Sequence, residues 1–188
     1  LEGLKSGHPT VRCLTPSLEP GTIVRPDLSY DARKVLFAYS KHYPGLIDLA
    51  DKLDKTQIPE DAFFQLYEMN LDGTGLRRLT HGKYDHFDGH YLPNGEIVFL
   101  STRRGEHPRY TTAAACRPGT DHRDSYVRCG GDEFRPVAVY TLHAMDANGG
   151  NIHPLSPFEM FEWEPSVDNQ GRVIYSRWDY VDREAMPY

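Results

Sequence analysis

Leu66-Tyr67-Glu68-Met69-Asn70-Leu71-Asp72-Gly73-Thr74-Gly75-Leu76-Arg77-Arg78-Leu79-Thr80 decides the fold, because the chain writes the same phrase twice. The second copy is Leu142-His143-Ala144-Met145-Asp146-Ala147-Asn148-Gly149, closing on Pro154-Leu155-Ser156. In both, a strand-like apolar run ends in Asp-Gly or Asn-Gly. Such pairs supply the positive φ that a tight hairpin needs. Cys13-Leu14-Thr15 is an earlier copy of the closing unit alone.

Upstream of each phrase stands another repeated unit, a polar turn followed by a β-branched strand ending in an aromatic residue. Its copies are Tyr30-Asp31-Ala32-Arg33-Lys34-Val35-Leu36-Phe37, Pro93-Asn94-Gly95-Glu96-Ile97-Val98-Phe99 and Asn169-Gln170-Gly171-Arg172-Val173-Ile174-Tyr175. The order is therefore strand A, turn, strand B, long connection, strand C, turn, strand D. Four antiparallel strands per repeat is the unit of a propeller blade, and one blade cannot bury both its faces alone.

The expected fold is all-β, a β-propeller fragment of two complete four-stranded blades with partial blades on either side. Residues 1–21 read as the end of a preceding blade, with its outer strand near 12–15. Residues 22–80 read as a blade with an insertion at 41–62, and 81–156 as a blade with an insertion at 103–136. Residues 157–188 read as a partial blade. Strands are expected near 22–29, 34–40, 64–70, 76–80, 88–92, 96–102, 137–145, 152–156, 163–168 and 172–178. The best helical stretch is 44–53, inside the first insertion. The sequence starts with Leu1 rather than Met, which reads as a piece of a longer protein.

Composition narrows the function. The formal net charge of -6 argues against a nucleic-acid groove, which needs a basic stripe. No apolar run approaches the roughly 18–20 residues of a membrane helix. No G-x-S-x-G, H-E-x-x-H or phosphate-binding glycine loop is present. Asp146-Ala147-Asn148-Gly149 looks like the start of a calcium loop but lacks the distal Glu, and a hairpin accounts for it.

In the expected topology both long B–C connections leave the edge that carries the D–A loops. Long loops in a compact domain are usually functional or disordered, so this edge is the candidate for binding. The D–A loop His81-Gly82-Lys83-Tyr84-Asp85-His86-Phe87-Asp88-Gly89-His90 packs three His and two Asp. Asp85, His86, Asp88, His90, Arg103, Arg104, Arg177, Trp178, Asp179 and Tyr180 are the candidate ligand- or partner-binding residues. His86, Asp88 and His90 are residue types that ligate zinc or iron, although their spacing matches no established metal motif. The insertion adds His107, Asp121, His122 and Asp124. Packing roles stay open beside the binding ones: Trp178 between blades, Arg177 and Asp179 as an ion pair, and Trp163 and Glu164 likewise.

The three cysteines are Cys13, Cys116 and Cys129. None stands in C-x-x-C or C-x-x-C-H spacing, so this segment carries no covalent haem attachment of its own. Cys116 and Cys129 share the second insertion with twelve residues between them, and a disulfide there is expected. It would place the protein in an oxidising compartment. Cys13 is expected to be free.

The phrase at 66–80, with Tyr91-Leu92-Pro93-Asn94-Gly95 and Ser101-Thr102-Arg103-Arg104-Gly105, resembles the TolB-like propeller repeat over most of residues 12–183. Gly171-Arg172-Val173-Ile174-Tyr175-Ser176-Arg177-Trp178-Asp179-Tyr180-Val181-Asp182-Arg183 and the long insertions carry a narrower likeness. They resemble the middle propeller domain of the hydrazine synthase alpha subunit and its relatives.

The TolB likeness implies a periplasmic or extracellular protein. The repeat, with its loop-rich face and no catalytic motif, points to a non-catalytic module that binds a protein or its own neighbouring domains. The narrower likeness implies the alternative, a propeller domain of a haem-containing oxidoreductase. There Tyr84, His86 or Tyr180 would face a haem held by a neighbouring domain. A propeller gating a serine peptidase is a third class that neither resemblance points to.

Overall fold

The computed structural model describes residues 10–50, 54–103, 139–156 and 161–178, the single residues 5, 7 and 8, and the backbone of two short strands at 126–127 and 137–138. The first sheet runs in chain order: β1 (Gly21–Leu28), β2 (Lys34–Lys41), β3 (Gln65–Asn70) and β4 (Arg77–Arg78). The second joins β5 (His86–Tyr91), β6 (Ile97–Ser101), β9 (Thr141–Met145) and β10 (His153–Pro154). A third sheet pairs β11 (Glu162–Val167) with β12 (Val173–Arg177). Every pairing is antiparallel.

The strands fall where the repeat puts them, with two differences. The expected strand 137–145 is interrupted at Val139 and Tyr140. Its first part, β8 (Val137–Ala138), pairs with β7 (Tyr126–Val127) in a hairpin of its own. Tyr140 leaves the ladder to pack edge-on against Phe87 and Phe161, at 5.2 and 4.7 Å between ring centroids. The outer strands shrink to two residues each. In place of a helix over 44–53, a 3-10 turn covers Pro44–Asp48, and residues 51–53 lie outside the described residues. Among the described residues no helix is long and apolar enough to cross a membrane.

Successive side chains of a strand point to opposite faces, and that alternation builds the core in layers. Leu36, Ala38 and Leu66 of the first sheet meet Ile97, Phe99 and Met145 of the second. On the second sheet's other face, Val98, Leu100 and Leu142 meet Val167, Val173 and Tyr175 of the third. Phe37, Tyr39 and Met69 cover the first sheet's remaining face, where Leu14 and Leu18 pack on them. Fully burying one of the Leu, Ile, Val, Phe or Met side chains among them contributes about 1.5–3 kcal/mol.

All three sheets begin with the same irregularity. The register slips between Val24 and Asp27 in β1, between Phe87 and His90 in β5, and between Trp163 and Ser166 in β11. Each slip holds a charged residue in the left-handed region: Arg25 at φ 51, Asp88 at φ 54 and Glu164 at φ 48. Pro26, Gly89 and Pro165 follow them. Pro cannot donate to a ladder, and Pro or Gly within a strand marks a bulge.

Candidate functional site

The two long connections meet at one edge. Tyr84, in the loop leading into β5, has Lys55 Nζ 4.5 Å and the Arg103 guanidinium 5.0 Å from its ring centroid. Lys55 belongs to the first connection, and Arg103 opens the second. Lys83 ties the same edge together by donating to the Lys55 carbonyl at 2.6 Å. Arg103 donates to the His81 carbonyl at 3.0 Å. Arg78 and His81 lie beside Glu60, whose carboxyl is held below its usual range by the Gly82 backbone N–H and then by the Arg78 guanidinium.

Beneath that edge the structure buries two imidazoles and a carboxyl. Asp85 accepts the Phe64 backbone N–H at 2.9 Å, and burial raises its pKa. His86 is sealed between the first two sheets, with Nδ1 2.8 Å from Ser101 Oγ and its ring edge-on to Phe99. Burial, with the charge of Arg103 and the neighbouring His143, lowers its pKa to about 3. His143 lies on the other side of Phe99, donates from Nδ1 to the Thr141 carbonyl, and is lowered by burial to about 4. The Nε2 atoms of both have no hydrogen-bond partner among the described residues.

A second group forms where the first strands of the sheets come together. Arg25 Nε lies 3.9 Å from Asp88 Oδ1, and Arg25 Nη2 lies 3.7 Å from Glu164 Oε1. His90 stands between two carboxylates, Nδ1 3.3 Å from Asp27 Oδ1 and Nε2 3.6 Å from Asp88 Oδ1. Asp27 first, then Asp88, raise its pKa to about 9. Asp27 also accepts the Tyr91 backbone N–H at 3.2 Å.

The structure thus divides the residues that the sequence groups together. Asp88 and His90 belong to the second group; Asp85 and His86 lie under the loop edge. The bulge causes the split, because one extra residue reverses the face of everything after it. His86 therefore packs on Phe99 inside the sheet interface, while His90 meets Asp27 and Asp88 where the first strands come together. Among the described residues, no three His, Cys, Asp or Glu side chains come close enough to hold a metal ion.

Trp178 stacks on Phe161 at 6.0 Å and lies 6.2 Å from Trp163, in an aromatic cluster that also takes in Tyr140. Arg177 is exposed at the end of β12. Arg104, Asp179, Tyr180, Cys116 and Cys129 lie outside the described residues, as do His107, Asp121, His122 and Asp124. Cys13 is a free, exposed thiol. Sequence reasoning missed Arg25 and Asp27 in the second group. The signal for it was a charged residue before Pro26, Gly89 and Pro165 in each first strand.

No family model matches this sequence, and no curated protein matches it. Solved structures do. The fold is similar to TolB. A TolB-type protein from Agrobacterium tumefaciens aligns over 85% of this chain and 44% of its own, at 17% identity and a TM-score of 0.44. Hydrazine synthase from Kuenenia stuttgartiensis aligns over 82% of this chain and 21% of its own, at 14% identity and a TM-score of 0.48. TolB from Acinetobacter baumannii aligns over 78% and 35%, at 18% identity and a TM-score of 0.29. TolB and hydrazine synthase are β-propeller proteins, and this chain spans less than half the length of each of the three.

Proposed function

We propose that the sheets are blades of a β-propeller, two of them complete, and that the segment is a non-catalytic binding or scaffold module. Its working surface is the long-loop edge, and its partner is a neighbouring domain or another protein. The observation that carries this reading is the convergence on Tyr84 of Lys55 and Arg103, one from each long connection. Loops gathered on one edge of a rigid stack of sheets are the usual place for recognition.

Cross-linking of the full-length protein tests it. Amine-reactive cross-links should join Lys55 and Lys83 to residues outside 1–188. Lys34, which pairs with Glu68 away from that edge, should not join them. Cross-links that gather on Lys34 would place the interface on the wrong edge. A haem Soret band in the full-length protein would instead favour the oxidoreductase reading.

We further propose an exported bacterial protein, periplasmic or extracellular, with Cys116 and Cys129 joined. Closing a loop of that size contributes about 3 kcal/mol. Unreduced peptide mapping should return one linked peptide containing both cysteines; two separate thiol peptides would refute the pairing.

A further inference from the structure

We propose that His153 and Leu155, at the outer strand of the second sheet, form the seat for one hairpin of the full-length chain, the turn that joins the third and fourth strands of the third sheet. The proposal rests on reading the sheets as blades. It goes beyond that reading by naming the seat, its occupant and the contacts between them.

The same seat is filled twice elsewhere in the molecule. Arg77, in β4, donates from Nη2 to the Ala147 carbonyl at 2.8 Å. Arg12 donates from Nη1 to the Asp72 carbonyl at 2.8 Å and from Nη2 to the Leu71 carbonyl at 3.4 Å. Leu71 and Ala147 hold the same place in the repeated phrase, just before Asp72-Gly73 and Asn148-Gly149. Two residues after each arginine stands a leucine whose carbonyl faces the glycine of the same hairpin. A methyl group on Gly73 would lie 3.7 Å from the Leu14 carbonyl oxygen, and one on Gly149 would land on that of Leu79. An apolar residue three places after each glycine completes the fit. Leu76 and Leu14 pack together on Phe37, Tyr39 and Met69, and Ile152 packs on the cluster that contains Leu79.

The third seat has the same spacing. His153 stands in β10 where Arg77 stands in β4, and Leu155 follows it by two residues as Leu79 follows Arg77. Its Nδ1 lies 2.8 Å from the Asn151 carbonyl oxygen, which fixes the ring. The leucines differ in their cover: Leu79 is 3% exposed and Leu155 is 45% exposed. Among the described residues the third sheet consists of β11 and β12, without the third and fourth strands whose turn would lie over Leu155. A single exposed leucine is ordinary; the two filled copies are what identify this one as a seat. They also select the occupant. A leucine carbonyl at that place leaves a side chain little room, so the turn needs a glycine, at positive φ as in Gly73 and Gly149. An apolar residue three places later reaches the leucine.

Photo-cross-linking of the full-length protein tests the proposal, with p-benzoylphenylalanine incorporated in turn at Arg12, Arg77 and His153. The first two positions are controls and should link to residues 71–76 and 147–152. Position 153 should link, within one molecule, to a segment beyond Arg177 that carries a glycine followed three residues later by Leu, Ile or Val. No link from 153, or a link to any other segment, overturns the proposal; with both controls in place it leaves the reading of the first two sheets as blades intact. A link between molecules that is lost on dilution would give the seat to a second copy and overturn it too. Missing control links would overturn the match of seat to hairpin itself. Hydroxyl-radical footprinting of the unsubstituted protein gives an independent reading. Leu155 should oxidise several-fold more slowly than Leu28, which is 55% exposed; equal rates would show an uncovered seat and refute the proposal.

Discussion

Arg25 Nη2 lies 3.7 Å from Glu164 Oε1, although Arg25 belongs to the first sheet and Glu164 to the third. Sheets stack about 10 Å apart, so two residues separated by a whole sheet would lie about 20 Å apart in a parallel stack. They meet because the sheets fan out from a spine of first strands, with β5 lying between β1 and β11. A wedge-shaped stack explains two things together. The spine gathers charged bulge residues, and the connections between second and third strands have room to spread at one edge.

The spine has a pH signature. His90 is held as a cation between Asp27 and Asp88, with its pKa raised to about 9. A raised folded-state pKa stabilises fully below the unfolded value of about 6.5 and is lost as pH rises through about 9. With partial exposure allowed for, the contribution is about 1–2 kcal/mol. Chemical denaturation of the parent and of His90→Gln should show the parent ahead at pH 6 and the gap mostly closed at pH 10. A gap that does not change with pH would mean that His90 acts through packing alone.

The loop edge behaves in the opposite sense. His86 and His143 are neutral in the folded protein, with pKa values lowered to about 3 and about 4. Above about pH 6.5 neither costs anything. As pH falls from there the unfolded chain takes up protons first, and stability drops until the folded pKa is reached. The loss is on the order of 3 kcal/mol for each imidazole between pH 7 and pH 4. Asp85 and Glu162, buried carboxyls with raised pKa, partly offset it in the parent. They are common to His143→Gln, so the difference between the two proteins isolates the imidazole. The parent should lose about 3 kcal/mol more than H143Q on acidification; equal losses would show that His143 does not titrate on unfolding.

Local chemistry was legible in the sequence. Gly73, Gly95, Gly149 and Gly171 all take positive φ at the hairpins that the repeated phrases mark. The grouping of polar residues was less legible, because simple alternation cannot carry a count past a bulge. His86, Asp88 and His90 sit two apart and so seem to share a face, but the slip at Asp88 and Gly89 parts His86 from the other two. His143 reads as an ordinary strand residue until Phe99 is set opposite it. Its role then parallels that of Tyr67 opposite Phe37 in the first sheet. Only long-range pairing discloses that match.

Two hairpin glycines with nearly equal backbone conformations should respond differently to the same substitution. Gly95 has φ 90 and Gly149 has φ 86. A methyl group on Gly95 meets nothing within 4 Å, so Gly95→Ala pays only for the left-handed backbone, about 1 kcal/mol. A methyl group on Gly149 would land on the Leu79 carbonyl oxygen and within 3.0 Å of its carbon. That oxygen belongs to the outer part of the neighbouring sheet, so the second hairpin would have to lift off the first sheet. Gly149→Ala should therefore cost about 3 kcal/mol or more. Similar midpoints for the two variants in urea would contradict the contact.

Ala32 supplies the converse experiment. It occupies, between β1 and β2, the turn position that Gly95 and Gly171 hold in the other two sheets. Its φ is 53, a conformation that costs an L-residue roughly 1–2 kcal/mol. The turn is otherwise well made: Ala32 N–H donates to the Ser29 carbonyl at 2.8 Å, and Asp31 accepts the Arg33 N–H at 3.1 Å. The Ala32 side chain is exposed, so removing its methyl group loses no packing. Against the relief of strain stands the larger entropy of glycine in the unfolded chain, about 0.5–1 kcal/mol. The balance favours Ala32→Gly by about 0.5–1 kcal/mol. Denaturant unfolding should move to a higher midpoint with an unchanged slope. A lower midpoint for A32G would mean that the side chain of Ala32 contributes a contact beyond its backbone conformation.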